Sequence, residues 1–263
     1  MTELPVLTAR GRTIPEAWER SLMALLAEGQ RTHSENVQGA AGTLDATMLM
    51  VIEEPLTEPR IHRSMPGGLD DLWMYVAEVV DGVHDHWIAP EEGKWSYTYH
   101  KRLTDYDGVD QLRRALAVLA KTPHSRRAQG ITWMPREDLG AADPPCLQRI
   151  WLRLVEGEGS LKLVMNCHWR SRDALKAAFM NLFALSELQR RLVGELEKEY
   201  GVRATCGRMV DVSDSYHLYL GYAEEWQAFW KLLVEREPAL RTYTTQFAEQ
   251  FLDQARERLA RLP

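Results

Sequence analysis

The stretch that decides the fold is residues 144–173, which read PPCLQRIWLRLVEGEGSLKLVMNCHWRSRD. Two apolar runs, residues 150–155 and 161–165, flank a Gly/Ser-rich turn, and this pattern predicts a β-hairpin. The hairpin would start near Cys146 and end at the charged cluster Arg-Ser-Arg-Asp, residues 170–173. A cysteine close to arginines ionises readily and becomes a nucleophile. The same arginines are suited to hold a phosphate.

Length and composition are ordinary for a globular chain. The sequence has 263 residues, of which 45% are hydrophobic and 27% charged, and this length is enough to bury a substantial core. The loops that contain proline and glycine are short and no linker is visible, so we expect a single domain over residues 1–263. The net charge of −6 disfavours nonspecific binding of nucleic acid, and we expect no nucleic-acid partner.

Cysteine usage and hydropathy bear on the compartment. Cys146, Cys167 and Cys206 form neither a disulfide framework nor a zinc pattern, and His84-x-His86 has no evident third ligand. We therefore expect no metal and a reducing, cytoplasmic environment. The N-terminus lacks the apolar core of a signal peptide, and no apolar run reaches the roughly 20 residues of a membrane span.

Helical and extended patterns alternate along the chain. Thr13 is a candidate N-cap of a first helix that ends at Gly29, with apolar residues at helical spacing between them. We expect the other elements at the following residues: helices over 69–82, 109–120 and 173–200; strands over 47–54, 128–133 and 202–212; loops over 30–43, 59–68 and 135–143. From the residues alone, only this alternation of helices and strands follows.

The predicted helix over residues 173–200 would begin directly after the charged cluster. Donors at a helix N-terminus form a natural anion site. Asp173 and Asn181 would face similar directions on this helix, about two turns apart, and as polar groups on a buried surface they need partners. A solvated helix cap with a surface ion pair explains the same cluster equally well.

Other candidate residues have ordinary explanations beside the functional ones. Cys146 follows two prolines, but a buried, inert cysteine is the commoner case. Glu78 lies in an otherwise apolar helix, where burial would raise its pKa and suit it to proton transfer, although a surface carboxylate is more usual. His217 and Tyr219 alternate as on a strand, so both could face one cavity. Trp87 and the aromatic residues after it could stack on a planar ligand or pack in the core.

Taken together and in order, these motifs resemble the thymidylate synthase family over about residues 12–222, most closely its shorter archaeal-type branch. Five segments carry the resemblance. The family's tyrosine motif resembles Tyr97-Thr98-Tyr99 with Lys101, and its phosphate-binding arginine pair, supplied by the other subunit, resembles Ser125-Arg126-Arg127. The nucleophile motif resembles Pro144-Pro145-Cys146. The Arg-Ser-x-Asp segment with its base-reading asparagine resembles Arg170-Ser171-Arg172-Asp173 with Asn181, and the ribose-contacting His-x-Tyr resembles His217-Leu218-Tyr219.

The resemblance implies a reaction and a role for each site residue. Cys146 would attack C6 of a pyrimidine nucleotide, so that C5 can attack the methylene of the cosubstrate 5,10-methylenetetrahydrofolate and dUMP becomes dTMP. Glu78 would be the general acid/base. The other roles would be in binding: the 5′-phosphate by Arg126, Arg127, Arg170 and Ser171; the base by Asn181; the sugar by His217 and Tyr219; the nucleotide also by Tyr99; the folate by Asp173 and Trp87.

The resemblance also implies an α/β fold, with a mixed β-sheet covered by helices on one face and a homodimer formed through the opposite face. The phosphate-binding arginines would then cross the interface. Two alternative functions stay open. One is a hydroxymethylase of CMP, dCMP or dUMP, in which water replaces hydride at the last step; the other is a noncatalytic nucleotide-binding relative. The amide of Asn181 fits uracil more readily than cytosine, because it both donates and accepts, but it does not exclude cytosine.

The sequence departs from the family pattern at several places. Residues 34–39 lack the phosphate-binding arginine of the family's N-terminal loop, and Leu147 follows the cysteine where many members have histidine. Residues 176–180 replace a glycine and a proline before the asparagine. Residues 247–263 predict a charged helix in place of the tail that closes over the folate. We therefore expect a divergent N-terminal loop and C-terminal segment.

Overall fold

The computed structural model describes residues 3–32 and 42–260. The divergent N-terminal loop expected at residues 34–39 lies outside the described residues. The strands are β1 Val6–Gly11, β2 Gln30–Thr32, β3 Thr43–Ile52, β4 Ile61–His62, β5 Gln129–Ile131, β6 Leu147–Glu156, β7 Leu161–Asp173, β8 Ala204–Tyr219 and β9 Thr242–Tyr243. The α-helices are α1 Ile14–Glu28, α2 Leu69–Asp81, α3 Tyr99–Thr104, α4 Gln111–Lys121, α5 Pro135–Asp138, α6 Ala178–Tyr200, α7 Ala223–Glu235, α8 Thr245–Glu249 and α9 Leu252–Ala260.

Seven strands of the described chain form one mixed sheet, in the order β1-β3-β8-β7-β6-β5, with β2 paired to β3. β1 runs parallel to β3 and β7 parallel to β8, whereas the other neighbours are antiparallel. The β6–β7 pair places Ile150 opposite Cys167 and Leu154 opposite Leu163. Its turn contains Gly159 at φ 76°, a left-handed conformation that glycine adopts without steric cost. The predicted hairpin is thereby confirmed.

One face of the sheet is buried under helices, of which α1 packs on β1 and β3 and α6 packs on β7 and β8. Met48, Leu152 and Met209 point to that face and are 0% exposed. Successive side chains of a strand alternate between faces, and the opposite face of the sheet is only partly covered in the single chain, with Val6 74% exposed. The expected α/β fold is confirmed, with its mixed sheet and its helical layer. The homodimer through the open face stays a prediction.

The main difference from the sequence prediction lies between β7 and α6. The helix expected from residue 173 begins at Ala178, and residues 166–173 continue β7 instead. The neighbouring strand β8 explains the difference, because it runs parallel to β7 up to Asp173 opposite His217 and the ladder satisfies backbone polar groups that a local pattern leaves open. The charged cluster therefore ends a strand and does not begin a helix. Asp173 and Asn181 lie on different elements.

Smaller differences concern element ends. Thr13 caps α1 as predicted, and its Oγ1 accepts the Glu16 N–H at 3.4 Å. β3 starts at Thr43 where residue 47 was expected, and β8 continues to Tyr219, past the expected end at residue 212. The loops expected over 30–43, 59–68 and 135–143 contain the short elements β2, β4 and α5. Strand pairing and packing with distant residues extend these elements beyond what local sequence indicates.

The C-terminal segment packs back on the first half of the chain. β9 pairs with β4, and two oxygens of Glu19 lie 3.0 Å from Arg241 Nη2 and 2.9 Å from His62 Nε2. The charged helix expected in this region is α9, which packs on α2. Within the described ranges, none of the helices combines the length and apolar character that crossing a membrane requires.

Candidate active site

A cavity of about 440 Å³ opens where β7 and β8 end and β6 begins. The β6–β7 hairpin brings a cysteine and a charged cluster to this edge, and β8 and α6 supply further polar side chains. Pairing of the strands thus gathers residues that are far apart in the sequence. Eight of the residues expected at the site line the cavity: Tyr99, Cys146, Arg170, Ser171, Asp173, Asn181, His217 and Tyr219.

Arg170 holds the backbone that presents the cysteine. Its guanidinium donates from Nε to the Pro145 carbonyl at 3.0 Å and from Nη2 to the Pro144 carbonyl at 2.6 Å. Its own backbone N–H donates to the carbonyl of Cys146 at 2.9 Å. Two prolines already restrict this backbone, and the three hydrogen bonds fix its position against β7. The thiol of Cys146 is half-buried at the cavity wall.

The expectation that the Cys146 thiol ionises readily is wrong for the single chain. Burial raises the pKa of this thiol, because a thiolate loses hydration inside the protein, and the nearby Asp143 carboxylate adds to the rise. The positive charges of Arg170 and Arg172 act in the opposite direction and offset only part of the effect. The arginines therefore favour the thiolate of Cys146, but the loss of hydration on burial has the larger effect on its pKa.

Arg172 lines the cavity, although the sequence motif predicted no separate role for it. It is 3% exposed and forms an ion pair with Asp211, to which its Nη1 donates at 3.0 Å. Trp169 Nε1 donates to the same carboxylate at 2.8 Å. A buried pair held by additional hydrogen bonds is costly to break, so Asp211 fixes two side chains that line the cavity, Trp169 and Arg172.

Asp173 and His217 lie opposite each other in the β7–β8 ladder. Asp173 Oδ1 accepts the backbone N–H groups of Leu175 and Lys176 at 2.9 and 2.7 Å. Burial raises the pKa of Asp173 although these hydrogen bonds and His217 counteract it. His217 Nδ1 lies 3.4 Å from Ser215 Oγ. The strand placement predicted for His217 and Tyr219 is confirmed.

His217 has a further support that the sequence did not reveal. Ser215 Oγ donates to both carboxylate oxygens of Asp45, at 3.0 and 2.9 Å. Asp45 comes from β3, which places it directly opposite His217 in the sheet. Asp45, Ser215 and His217 therefore form a chain of contacts that orients the imidazole. Asp45 reaches Ser215 only through the register of β3 against β8, and no local sequence motif predicts this contact.

Tyr75 is a second residue that sequence reasoning missed. It lies on α2, and Asn181 Nδ2 donates to its hydroxyl oxygen at 2.5 Å. Burial raises the pKa of Tyr75, and the Glu78 carboxylate raises it further. Its spacing from Glu78 could have indicated that it lies near the site, because Tyr75 precedes Glu78 by three positions and such residues share a face of a helix.

Glu78 and Trp87 are not among the residues that line the cavity. Glu78 pairs with His84, whose Nδ1 lies 2.9 Å from the carboxylate, and His84 stacks on Trp87 with ring centroids 4.0 Å apart. Burial raises the pKa of Glu78 although His84 counteracts it. His84 Nε2 is buried without a described partner. These residues form a separate aromatic and acidic cluster, and Glu78 influences Tyr75, which contacts the cavity residue Asn181.

Arg126 and Arg127 are exposed and do not line the cavity. The backbone carbonyl of Arg126 accepts a hydrogen bond from Trp151 Nε1 at 3.0 Å, which ties the pair to a side chain on the open face of the sheet. This position suits arginines that serve another subunit, a role that stays a prediction. Within the described part of the chain, no cluster of three or more His, Cys, Asp or Glu side chains is arranged to hold a metal ion.

The chain is similar in sequence to known proteins. A family model described as thymidylate synthase matches residues 72–262. A protein named "Putative thymidylate synthase" from Methanopyrus kandleri is 30% identical over 185 residues, which cover 70% of this chain and 81% of that protein. A protein of the same name from Methanosarcina barkeri is 28% identical over 211 residues, with 80% and 88% covered.

Two solved structures share the architecture. Thymidylate synthase A from Bacillus subtilis matches with a TM-score of 0.61 over 88% of this chain and 86% of that chain. The thymidylate synthase of phage T4 matches with a TM-score of 0.59 over 82% and 79%. Both are 18% identical to this chain, so these two similarities establish a common fold.

Proposed function

The chain belongs to the thymidylate synthase family, and from this premise we propose that it transfers a one-carbon unit from 5,10-methylenetetrahydrofolate to C5 of a pyrimidine nucleotide, converting dUMP to dTMP. The observation that carries the proposal is the cavity in which Cys146 lies with Arg170, Asn181 and His217. A nucleophile, a cation, an amide and an imidazole around one space are the groups that catalysis on a nucleoside monophosphate requires.

Each part of the nucleotide has a partner in this arrangement. Arg170 and Ser171 face the 5′-phosphate, and Arg170 Nη1 forms no hydrogen bond with a described residue, so it can donate to a phosphate oxygen. The amide of Asn181 reads the base, while His217 and Tyr219 bind the sugar. Arg126 and Arg127 of a second copy of the chain complete the phosphate site, because within one chain they are exposed and do not line the cavity.

The reaction begins at the Cys146 sulfur. As a thiolate it adds to C6 of the pyrimidine, which makes C5 nucleophilic. Arg170 and Arg172 stabilise the thiolate that burial disfavours. Glu78, whose pKa is raised by burial, is better suited to move a proton than a carboxyl group in water. Glu78 does not line the cavity, and what supports its role is that its neighbour Tyr75 contacts Asn181.

The aromatic cluster around Trp87 is suited to hold the ring of a folate. Trp87 stacks on His84 and meets Trp95 edge-on, and Trp95 is 40% exposed. His84 Nε2 is buried within this aromatic cluster and has no hydrogen-bond partner among the described residues. Trp87 and Asp173 would hold the folate, which supplies the methylene carbon and the hydride when bound.

The proposal is tested by incubating the purified protein with dUMP and 5,10-methylenetetrahydrofolate and measuring dTMP and dihydrofolate. We expect both products in equal amounts, and we expect Cys146→Ser to abolish them. The matched control is Cys206→Ser, which removes a half-buried thiol on β8 that does not line the cavity and leaves turnover unchanged.

Other outcomes identify the alternative functions. A hydroxymethylated base without dihydrofolate means that water replaces hydride and contradicts the methylation proposal. Nucleotide binding that persists in Cys146→Ser, combined with no turnover by the unaltered chain, means a noncatalytic binding protein.

A further inference from the structure

Three residues form a row across the sheet. Asp45 on β3, His217 on β8 and Asp173 on β7 occupy directly paired positions, and the side chains of directly paired residues point to the same face of a sheet. Ser215 precedes His217 by two positions and shares that face. His217 and Asp173 line the cavity, whereas Asp45 and Ser215 do not. Asp45 can therefore act on a bound nucleotide only through its neighbours.

The hydrogen bonds from Asp45 to His217 have a fixed direction. A carboxylate only accepts hydrogen bonds, so Ser215 uses its one hydroxyl proton on Asp45, whose two oxygens lie 3.0 and 2.9 Å from Ser215 Oγ. Toward His217, Ser215 Oγ can then only accept. His217 Nδ1 lies 3.4 Å from this oxygen, and the contact is a hydrogen bond only if Nδ1 carries the proton of the neutral imidazole.

The other ring nitrogen of His217 is accessible to a ligand. His217 Nε2 has no hydrogen-bond partner among the described residues, and it is not one of the fully buried polar atoms that lack a partner. Its side chain is half-buried and lines the cavity. The ring meets Tyr219 edge-on, with centroids 5.0 Å apart and planes at 78°. The imidazole is thus held at its edge by Tyr219 and at Nδ1 by Ser215.

Resting on the proposed function, we propose that Asp45 is a positioning residue which, through Ser215, keeps the proton of His217 on Nδ1 and so makes Nε2 an acceptor for the 3′-hydroxyl of the nucleotide. A neutral imidazole with its proton on Nδ1 has its one free lone pair on Nε2. The sugar must then supply a proton, and the 3′-hydroxyl is the one free hydroxyl of a 2′-deoxynucleotide. The carboxylates of Asp45 and Asp173 on either side of His217 disfavour a negatively charged group such as a 3′-phosphate.

The tautomer of His217 is measured without any nucleotide. Long-range proton–nitrogen correlation spectra at about pH 8.5, above the ordinary pKa of histidine, distinguish the two neutral forms, and the signals missing from His217→Gln belong to His217. We expect the proton on Nδ1. Asp45→Asn offers Ser215 an amide donor, which frees the serine proton for Nδ1, so the form with its proton on Nε2 should increase. A proton on Nε2 in the unaltered protein, or spectra that Asp45→Asn leaves unchanged, contradicts the inference.

Calorimetric titration with dUMP and with 2′,3′-dideoxy-UMP, which lacks the 3′-hydroxyl, measures the consequence for binding. The unaltered protein should bind dUMP about three- to tenfold more tightly than the dideoxy nucleotide. In Asp45→Asn this ratio should fall below about twofold, because the two changes remove the same interaction. The matched control is Asp214→Asn, which removes another aspartate–histidine contact, 3.0 Å from His168, that does not line the cavity. It should keep the ratio.

The outcomes separate this inference from the proposed function. If Asp45→Asn weakens binding of both nucleotides equally, Asp45 only supports the fold of the site, which contradicts the positioning role, as does an unchanged ratio of affinities. If the unaltered protein binds neither nucleotide, the proposed function fails, and the spectra still decide whether Asp45 sets the tautomer of His217. Thermal unfolding of each variant shows that the comparison is made between folded proteins.

Discussion

Arg170 serves two physical purposes at one position. Its guanidinium binds the carbonyls of Pro144 and Pro145, which fixes the backbone in front of Cys146. Its charge also lowers the pKa of the Cys146 thiol against the larger effect of burial. Both effects require that the side chain reaches from β7 to the start of β6, which the antiparallel pairing of the hairpin provides.

Replacing Arg170 by glutamine separates charge from hydrogen bonding, because glutamine keeps donors but carries no charge. The pKa of the Cys146 thiol should rise further. Only the thiolate reacts with iodoacetamide, so a higher pKa leaves less thiolate at a given pH, and alkylation of Cys146 near neutral pH should slow several-fold. Peptide mass spectrometry over a pH series measures the rate. Arg203→Gln, at a side chain 88% exposed, is the control, and an unmoved pH profile in Arg170→Gln contradicts the electrostatic account.

At the scale of elements, the local sequence of β7 predicts only the first part of the strand. Residues 161–165 carry the apolar pattern of a strand, whereas residues 166–173 are mostly polar and begin to resemble a helix cap. Their partners lie on β8: Asp211 accepts from Arg172 and from Trp169. A local sequence pattern shows the polar side chains but not the Asp211 carboxylate that accepts their hydrogen bonds. The extension of the strand could therefore not be predicted from local residues.

Asp211→Asn tests whether this pair holds β7 in place. Asp211 is 0% exposed, and removing one charge of a buried pair leaves Arg172 uncompensated, which typically costs about 3–5 kcal/mol of unfolding free energy. Urea unfolding followed by circular dichroism measures the loss. The control is Asp214→Asn on the same strand, whose partner His168 is 35% exposed and whose loss should cost less than about 1 kcal/mol. Equal effects of the two substitutions would exclude a special role for the buried pair.

At the scale of the whole molecule, site residues that belong to a sequence motif could be predicted. Residues that reach the site only through packing between distant elements could not. The hairpin, the charged cluster and His217 were found from order and spacing, and they meet in one cavity. Tyr75 and Asp45 were missed because they reach Asn181 and Ser215 only through helix packing and strand register. The placement of such residues depends on contacts between elements far apart in sequence.

The open face of the sheet and the exposed arginines lead to a prediction about assembly. If Arg126 and Arg127 complete the site of a second copy, Cys146→Ser and a double Arg126→Ala, Arg127→Ala variant should each be inactive alone. After unfolding and refolding together, half of the dimers should contain one intact site, so about a quarter of the unaltered activity returns. Activity of the mixture that does not exceed the sum of the two variants contradicts sites shared between subunits.

The proposed function depends on a bond between the Cys146 sulfur and C6 of a pyrimidine nucleotide. 5-Fluoro-dUMP tests it directly, because fluorine at C5 cannot leave as a proton does and the adduct is trapped. Mass spectrometry of the protein incubated with this nucleotide and 5,10-methylenetetrahydrofolate, followed by peptide mapping, is the decisive measurement. We expect one nucleotide attached per chain, on the peptide that contains Cys146. A protein that gains no mass, or gains it at Cys167 or Cys206, contradicts nucleophilic attack by Cys146.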